Sequence, residues 1–225
     1  MIYLALGRRR LGKTTLTYYM AQRIAQRVMF DPRGLIDAPS VRVRSAEHLR
    51  TLLAMRDDTM PEEIVITPDD RLQEAFDATA RYVKQWSRTH DASLFFLVDE
   101  ARFVDLLDSA AFEYLLRAAP PNQIHIAITA HRPADVPTDI RAISDHWLLF
   151  RTTQEHDLKV IEERCGVAVK RRVMALKPHE FVHWDDGASQ WAANTNPASW
   201  YVPLGTPGRE AEHVLPATID EGRLL

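Results

Sequence analysis

The chain opens Met1-Ile-Tyr-Leu-Ala-Leu-Gly7-Arg-Arg-Arg-Leu-Gly12-Lys13-Thr14-Thr15, and no other stretch limits its possible folds as strongly. The apolar run Ile2 to Leu6 has the length of a strand and runs straight into a glycine. From Gly7 the residues read G-x-x-x-x-G-K-T, and a helix-forming segment follows from Lys13 to Gln26. A strand before and a helix after are the context in which this spacing forms a phosphate-binding loop. Gly7 and Gly12 let the backbone turn so that successive N–H groups converge on the β- and γ-phosphates of a nucleotide. The helix N-terminus adds partial positive charge at the same point. The expected nucleotide-binding residues are therefore Gly7, Arg8, Arg9, Arg10, Leu11, Gly12, Lys13, Thr14 and Thr15. Lys13 reaches the phosphates in this reading, and the Thr14 hydroxyl ligates Mg²⁺.

Strands and helices alternate along the rest of the chain. Arg27 to Asp31 reads as a short buried strand closed by Pro32, and Val41 to Arg44 as a half-exposed one. Ser45 is placed to cap a helix over Ala46 to Met55, and Glu63 to Thr67 is another apolar strand. Asp69 or Asp70 is the expected cap of a long helix to about Thr89, with Leu72, Phe76, Ala80, Val83 and Trp86 on its apolar face. Ser93 to Val98 has no polar alternation, the pattern of a strand buried on both faces in a parallel sheet. A helix over Val104 to Ala118 leads to a further buried strand, Gln123 to Ala130, and then to His131-Arg-Pro. A short helix over Thr138 to Ile143, the strand Trp147 to Phe150, and helices over Gln154 to Cys165 and Val169 to Leu176 come next. Glu180 to Trp184 and Gln190 to Ala193 form a hairpin about the Asp185-Asp-Gly187 turn. The alternation predicts an α/β fold, a mainly parallel sheet with helices on both faces and the nucleotide at the carboxyl ends of the strands. Residues 1–194 are expected to be one domain and 195–225 an extended, proline-rich arm anchored by Trp200, Tyr201, Val214 and Leu215.

The second chemical signal is Asp99-Glu100 at the end of the run Leu94 to Val98. Asp99 is expected to hold Mg²⁺ opposite Thr14, directly or through water. Glu100, one residue on, is placed to act as general base on an attacking water. The pair favours hydrolysis over phosphoryl transfer to a small molecule.

The loop Gly7 to Thr14, the strand ending Asp99-Glu100 and the string Ile128-Thr-Ala-His131-Arg-Pro133 together resemble the FtsK–HerA superfamily of DNA-pumping P-loop ATPases, a RecA/FtsK-like fold. The resemblance runs on through Asp139 to Asp145 and Leu148 to Arg151, and ends at Leu176 to Val182. A chain of this length resembles in particular the genome-packaging ATPases of tailless icosahedral viruses with an internal membrane. Family members carry a glutamine in a Thr-Gln-Arg-Pro-like string, where it senses the γ-phosphate; here the position is His131. Neutral imidazole can donate a hydrogen bond to a phosphate or to water, so His131 takes the sensor role in this reading. The resemblance also implies an arginine supplied from a neighbouring subunit to the transition-state charge. Arg117 matches it, with Arg102, Arg132, Arg141 and Arg151 as further candidates. Guanidinium suits that task because it is planar, always charged and rich in donors.

The resemblance implies an ATP- and Mg²⁺-dependent hydrolase that forms a homo-oligomeric ring, expected to be a hexamer. Its expected task is to translocate double-stranded DNA into a preformed capsid, with capsid-vertex or membrane proteins as partners. It places the protein in the cytoplasm of the host cell, and also on the virion at a capsid vertex. Another FtsK–HerA motor, serving conjugation, secretion or filamentous-phage assembly, and a non-motor P-loop kinase or switch are the alternatives. A net charge of −3 does not oppose DNA binding, since a ring needs only a basic lining. Lys170-Arg171-Arg172 reads as the solvated side of a helix. No run approaches the ~20 apolar residues of a membrane span, and no signal peptide is expected ahead of the loop. Cys165, the only cysteine, excludes an internal disulfide and fits a reducing compartment. His179 and His183 do not match zinc-ligand patterns.

Overall fold

Strands that are apolar at every position must be covered on both faces, and the sheet order shows how this is done. The computed structural model describes residues 1–37, 41–53, 62–119 and 123–194. In chain order the elements are β1 (Ile2–Leu6), α1 (Lys13–Ala21), β2 (Gln26–Phe30), β3 (Val41–Val43), α2 (Ala46–Leu53), β4 (Glu63–Ile66), α3 (Leu72–Thr89) and β5 (Leu94–Val98). Then follow α4 (Ala110–Ala118), β6 (Ile124–Ala130), α5 (Thr138–Ile143), β7 (His146–Phe150), α6 (Glu155–Cys165), α7 (Val167–Ala175), β8 (Phe181–Asp185) and β9 (Gln190–Asn194). Among the described residues they form a 9-stranded sheet in the order β3-β4-β2-β5-β6-β1-β7-β8-β9. The strands from β3 to β7 run parallel. β8 and β9 add antiparallel, as the expected hairpin.

Side chains alternate across the sheet. Leu4 and Leu6 of β1 enter the larger core, with Phe30, Phe76, Phe96, Phe112 and Trp147, beneath α2, α3, α4, α6 and α7. Tyr3 enters the opposite core, where Tyr18 and Ala21 of α1 pack on Met29, Phe95 and Leu97. Helices therefore cover both faces, as the alternation predicts.

Several strand and helix ends differ from the sequence expectation by a residue, and four helix boundaries differ for reasons visible in the structure. α1 ends at Ala21, well short of Gln26, because Gln26 is drawn into register with Leu94 of β5; Arg23 and Ile24 close the helix with bonds to Met20 and Ala21 carbonyls. α3 is capped by neither Asp69 nor Asp70: Arg71 holds the cap position in a left-handed conformation, and Asp69 pairs with Arg44. Residues 104–109 are not helical. α4 begins at Ala110, where the Ser109 hydroxyl accepts the Phe112 N–H and donates to Asp77. α7 starts at Val167, two residues early, directly after Gly166 at φ 89°. Ser45 does cap α2, accepting the His48 N–H at 3.1 Å. The expected arm, 195–225, and the last residues of the expected second helix lie outside the described residues. No helix among the described residues is long and apolar enough to cross a membrane.

Candidate active site

β6 lies between β1 and β5, so three parallel strands deliver their carboxyl ends side by side. Leu6 is level with Ala130, and Val98 with Ile128. The loop after Leu6, the acidic pair after Val98 and the Thr129-to-His131 stretch therefore leave the sheet at one edge.

In the loop, Gly7 is required chiefly by close approach. A Cβ there would stand 2.5 Å from Phe150 Cβ on β7. Gly12 takes φ 95° at the cap of α1, a conformation suited to glycine. Leu11 packs against Leu16, Leu148, Phe150 and Phe181, which anchors the loop from below. Arg8, Arg9 and Arg10 are exposed, and Arg8 donates to Thr153 Oγ1 at 3.0 Å. Lys13 is buried and turns back over the loop, donating from Nζ to the carbonyls of Gly7 at 2.8 Å and Arg8 at 3.0 Å. Burial pulls the Lys13 ammonium down to about 8, against the carboxylates of Glu100 and Asp99, which raise it.

Asp99 is fully buried. Its Oδ1 accepts from Thr14 Oγ1 at 2.8 Å and from Thr129 Oγ1 at 2.7 Å. Its Oδ2 has no hydrogen-bond partner among the described residues. Burial pushes the carboxyl up to about 6, the two hydroxyl donors lower it, and the nearby Asp31 and Glu100 raise it further. Thr129 also accepts the Glu100 N–H at 2.9 Å, so one hydroxyl ties the two acidic residues together.

Glu100 is a non-glycine residue in the left-handed region, at φ 53°. His131 Nε2 lies 2.8 Å from its Oε1, and Arg33 Nη1 lies 3.4 Å from the same oxygen. Burial lowers the His131 pKa, outweighing the pull of Glu100, and so favours the neutral ring.

Thus Lys13, Thr14, Asp99, Glu100 and His131 meet at one edge. The candidate arginines are distributed differently. Arg102 Nε is 3.5 Å from Glu100 Oε2. Arg117, half-exposed on α4, pairs with Glu113 and Asp139. Arg132 pairs with the buried Asp157 of α6, Arg141 bonds to Val136 and Thr138, and Arg151 is exposed. Lys170 pairs with Glu162. His183 on β8, two strands away from β1, faces His146 on β7 at 3.2 Å. Cys165 ends α6, buried, with its thiol pushed up to about 12 by burial.

Thr129, Asp31 and Arg33 have no role in the sequence reading. Asp31 carried a readable signal, since it ends an apolar strand just as Asp99 does. Arg33 follows it by two residues and had none.

Neither a protein-family model nor a curated protein sequence matches the chain. Solved structures do match. The genome packaging NTPase B204 of Sulfolobus turreted icosahedral virus 2, in complex with AMP, is 17% identical and superimposes with a TM-score of 0.69, over 87% of this chain and 97% of that one. B204, the DNA-packaging ATPase from Sulfolobus turreted icosahedral virus, is 18% identical with a TM-score of 0.67, over 85% and 95%. The conjugation coupling protein TcpA of pCW3, as a monomer with ATPγS, is 16% identical with a TM-score of 0.51, over 81% and 56%. At these identities the chain shares with them a fold, the mainly parallel α/β sheet of a P-loop NTPase.

Proposed function

We propose that the chain is a Mg²⁺-dependent ATPase of the FtsK–HerA superfamily that translocates double-stranded DNA, packaging viral DNA into a preformed capsid. The observation that carries the hydrolytic part is the pairing of Thr14 with the buried Asp99 beside a base-like Glu100. The donor set fits Mg²⁺: a hydroxyl, one carboxylate whose Oδ2 has no partner among the described residues, and room left for phosphate and water ligands, as this ion prefers. Thr14 and Asp99 would hold the ion, and its contribution is charge neutralisation at the phosphates. Lys13, released from the Gly7 and Arg8 carbonyls, takes phosphate oxygens in their place. Glu100 accepts a proton from the attacking water, and His131, joined to Glu100, reports whether the γ-phosphate is present.

Support for the DNA motor comes from the fold, which matches B204 over almost the whole of that chain. Arg117, half-exposed on α4, would leave Glu113 and Asp139 to reach a neighbouring subunit's nucleotide in a ring, here proposed to be a hexamer. Capsid-vertex or membrane proteins would then be its docking partners, in the host cytoplasm and on the virion. The likeness to TcpA keeps a conjugation motor as the second reading.

Phosphate release by the purified full-length chain tests this, with and without linear double-stranded DNA. The expected result is Mg²⁺-dependent ATP hydrolysis stimulated by DNA. Lys13→Ala should lose nucleotide binding, while Glu100→Gln should bind ATP and not turn it over. Normal hydrolysis by Glu100→Gln would overturn the base assignment. Phosphoryl transfer to added nucleosides or nucleotides, with no effect of DNA, would make the protein a kinase.

A further inference from the structure

Glu100 is held by a residue that has no part in the hydrolytic chemistry described above. Arg33 sits in the loop after β2, and that loop is shaped by a buried carboxylate. Asp31, fully buried, accepts the Arg33 N–H on Oδ1 at 3.2 Å and the Ile36 N–H on Oδ2 at 2.7 Å. Gly34 completes the turn at φ 64°, where a Cβ would press on Thr67 Cγ2 at 3.2 Å. β2 is also the immediate neighbour of β5, and the Asp99 N–H bonds to the Phe30 carbonyl at 2.9 Å. The loop is thus fixed relative to the acidic pair, and it presents Arg33 Nη1 to Glu100 Oε1 at 3.4 Å.

The two Glu100 oxygens are unequal. Oε1 has both His131 and Arg33. Oε2 is buried without a hydrogen bond among the described residues, and Arg102 Nε stands 3.5 Å away at ion-pair range. The terminal torsion of a glutamate is soft, so a carboxylate with one close hydrogen bond, here to His131, keeps rotational freedom. A second donor on the same oxygen removes that freedom. We propose that Arg33 is a positioning residue for Glu100: with His131 it holds Oε1, and so fixes the orientation in which the carboxylate meets the attacking water. This rests on the hydrolytic reading of the site.

Steady-state ATP hydrolysis by full-length wild type, Arg33→Ala, Arg33→Gln, Arg33→Lys and Glu100→Gln tests it. Arg44→Ala, a surface control whose partner is exposed Asp69, accompanies them. Arg33→Ala and Arg33→Gln should each lower kcat about 10- to 100-fold with KM changed less than about twofold, the signature of a misplaced base. Arg33→Lys should recover part of the rate, and Arg44→Ala should match wild type. In single turnovers, Arg33→Ala should not lower the residual rate of Glu100→Gln further, because the two act as a unit. A raised KM with kcat preserved would make Arg33 a phosphate ligand and overturn the proposal. An unchanged kcat, or a further loss in the Glu100→Gln background, would overturn it too. Wild type without ATP hydrolysis would remove the hydrolytic reading itself, and the proposal with it. Arg33 is one-third exposed, so the uncharged Arg33→Gln variant guards against a packing effect.

Discussion

Thr129→Val is the sharpest test of how the site is built. The substitution keeps shape and removes one hydroxyl, which donates to Asp99 Oδ1 at 2.7 Å and accepts the Glu100 N–H at 2.9 Å. Both partners are buried. The orphaned N–H costs about 1–3 kcal/mol, and the lost bond to a carboxylate about 1.5–3 kcal/mol. Because the two share one hydroxyl they do not add fully, and a loss of about 2–4 kcal/mol is expected near pH 8. That corresponds to a Tm roughly 4–16 °C lower for a domain of this size. The loss should depend on pH with a definite sign. The Asp99 carboxyl is raised to about 6 from 3.8, so the folded state binds more protons than the unfolded one between those values, and this group adds stability as pH falls through that window. At pH 8 wild-type Asp99 is ionised and needs the Thr129 donor. At pH 5 it is mostly protonated and needs it less. Urea unfolding in EDTA at both pH values measures the difference. The penalty should be clearly larger at pH 8, and Thr129→Ser, which keeps the hydroxyl, should show much less of it. Equal penalties at the two pH values, or none at either, would refute the hydrogen-bonded account of Asp99.

Gly7→Ala should cost about 2–4 kcal/mol and weaken nucleotide binding, because the added methyl meets Phe150 Cβ at 2.5 Å; a melting curve and a fluorescent-nucleotide titration check both effects. His183 is held down to about 4 from 6.5 by burial and by His146, so the unfolded chain binds its proton first and this residue's contribution to stability is lost as pH falls from 6.5 to about 4. His183→Gln should therefore gain on wild type across that window, which denaturation at a series of pH values would reveal. His131 is shifted below 6.5, so wild-type ATPase activity should decline only at pH values below that, and His131→Gln should flatten the decline. An acid limb identical in the two proteins would remove His131 from the titrating role.

How much could be read from sequence depends on how local each feature is. β5 and β6 were legible because both faces are buried, leaving Leu94 to Val98 and Ile124 to Ala130 almost without polar interruption. Lys13, Thr14, Asp99 and Glu100 were legible because each sits at a fixed offset from the end of such a strand. The end of α1 was not, since its last residues have fair helix propensity and yield only to the pairing of Gln26 with Leu94. The start of α4 is not legible for a related reason: apolar Val104 and Leu106 look helical, but the cap is Ser109, held by Asp77 of α3, 32 residues earlier in the chain. Arg33 escaped notice because its meaning depends on β2 lying beside β5, a neighbour relation separated by most of the intervening chain.

The strand between the two halves of the site explains how its parts depend on one another. Thr129 on β6 and His131, one residue beyond its end, both turn towards the acidic pair. Thr129 meets Asp99 Oδ1 and the Glu100 backbone. His131 meets the Glu100 carboxylate. The next residue, Arg132, turns to the opposite side and pairs with buried Asp157 on α6 at 3.2 Å. The end of β6 and the two residues after it therefore bind the metal-side carboxylate, the base and a helix of the far core within four residues. Shortening His131 should free the Glu100 side chain while leaving Asp99 in place, whereas removing the Thr129 hydroxyl should disturb both. A variant pair that separates turnover from Mg²⁺ dependence in that way follows from the order β5-β6-β1, and would not be expected if β1 and β5 were direct neighbours.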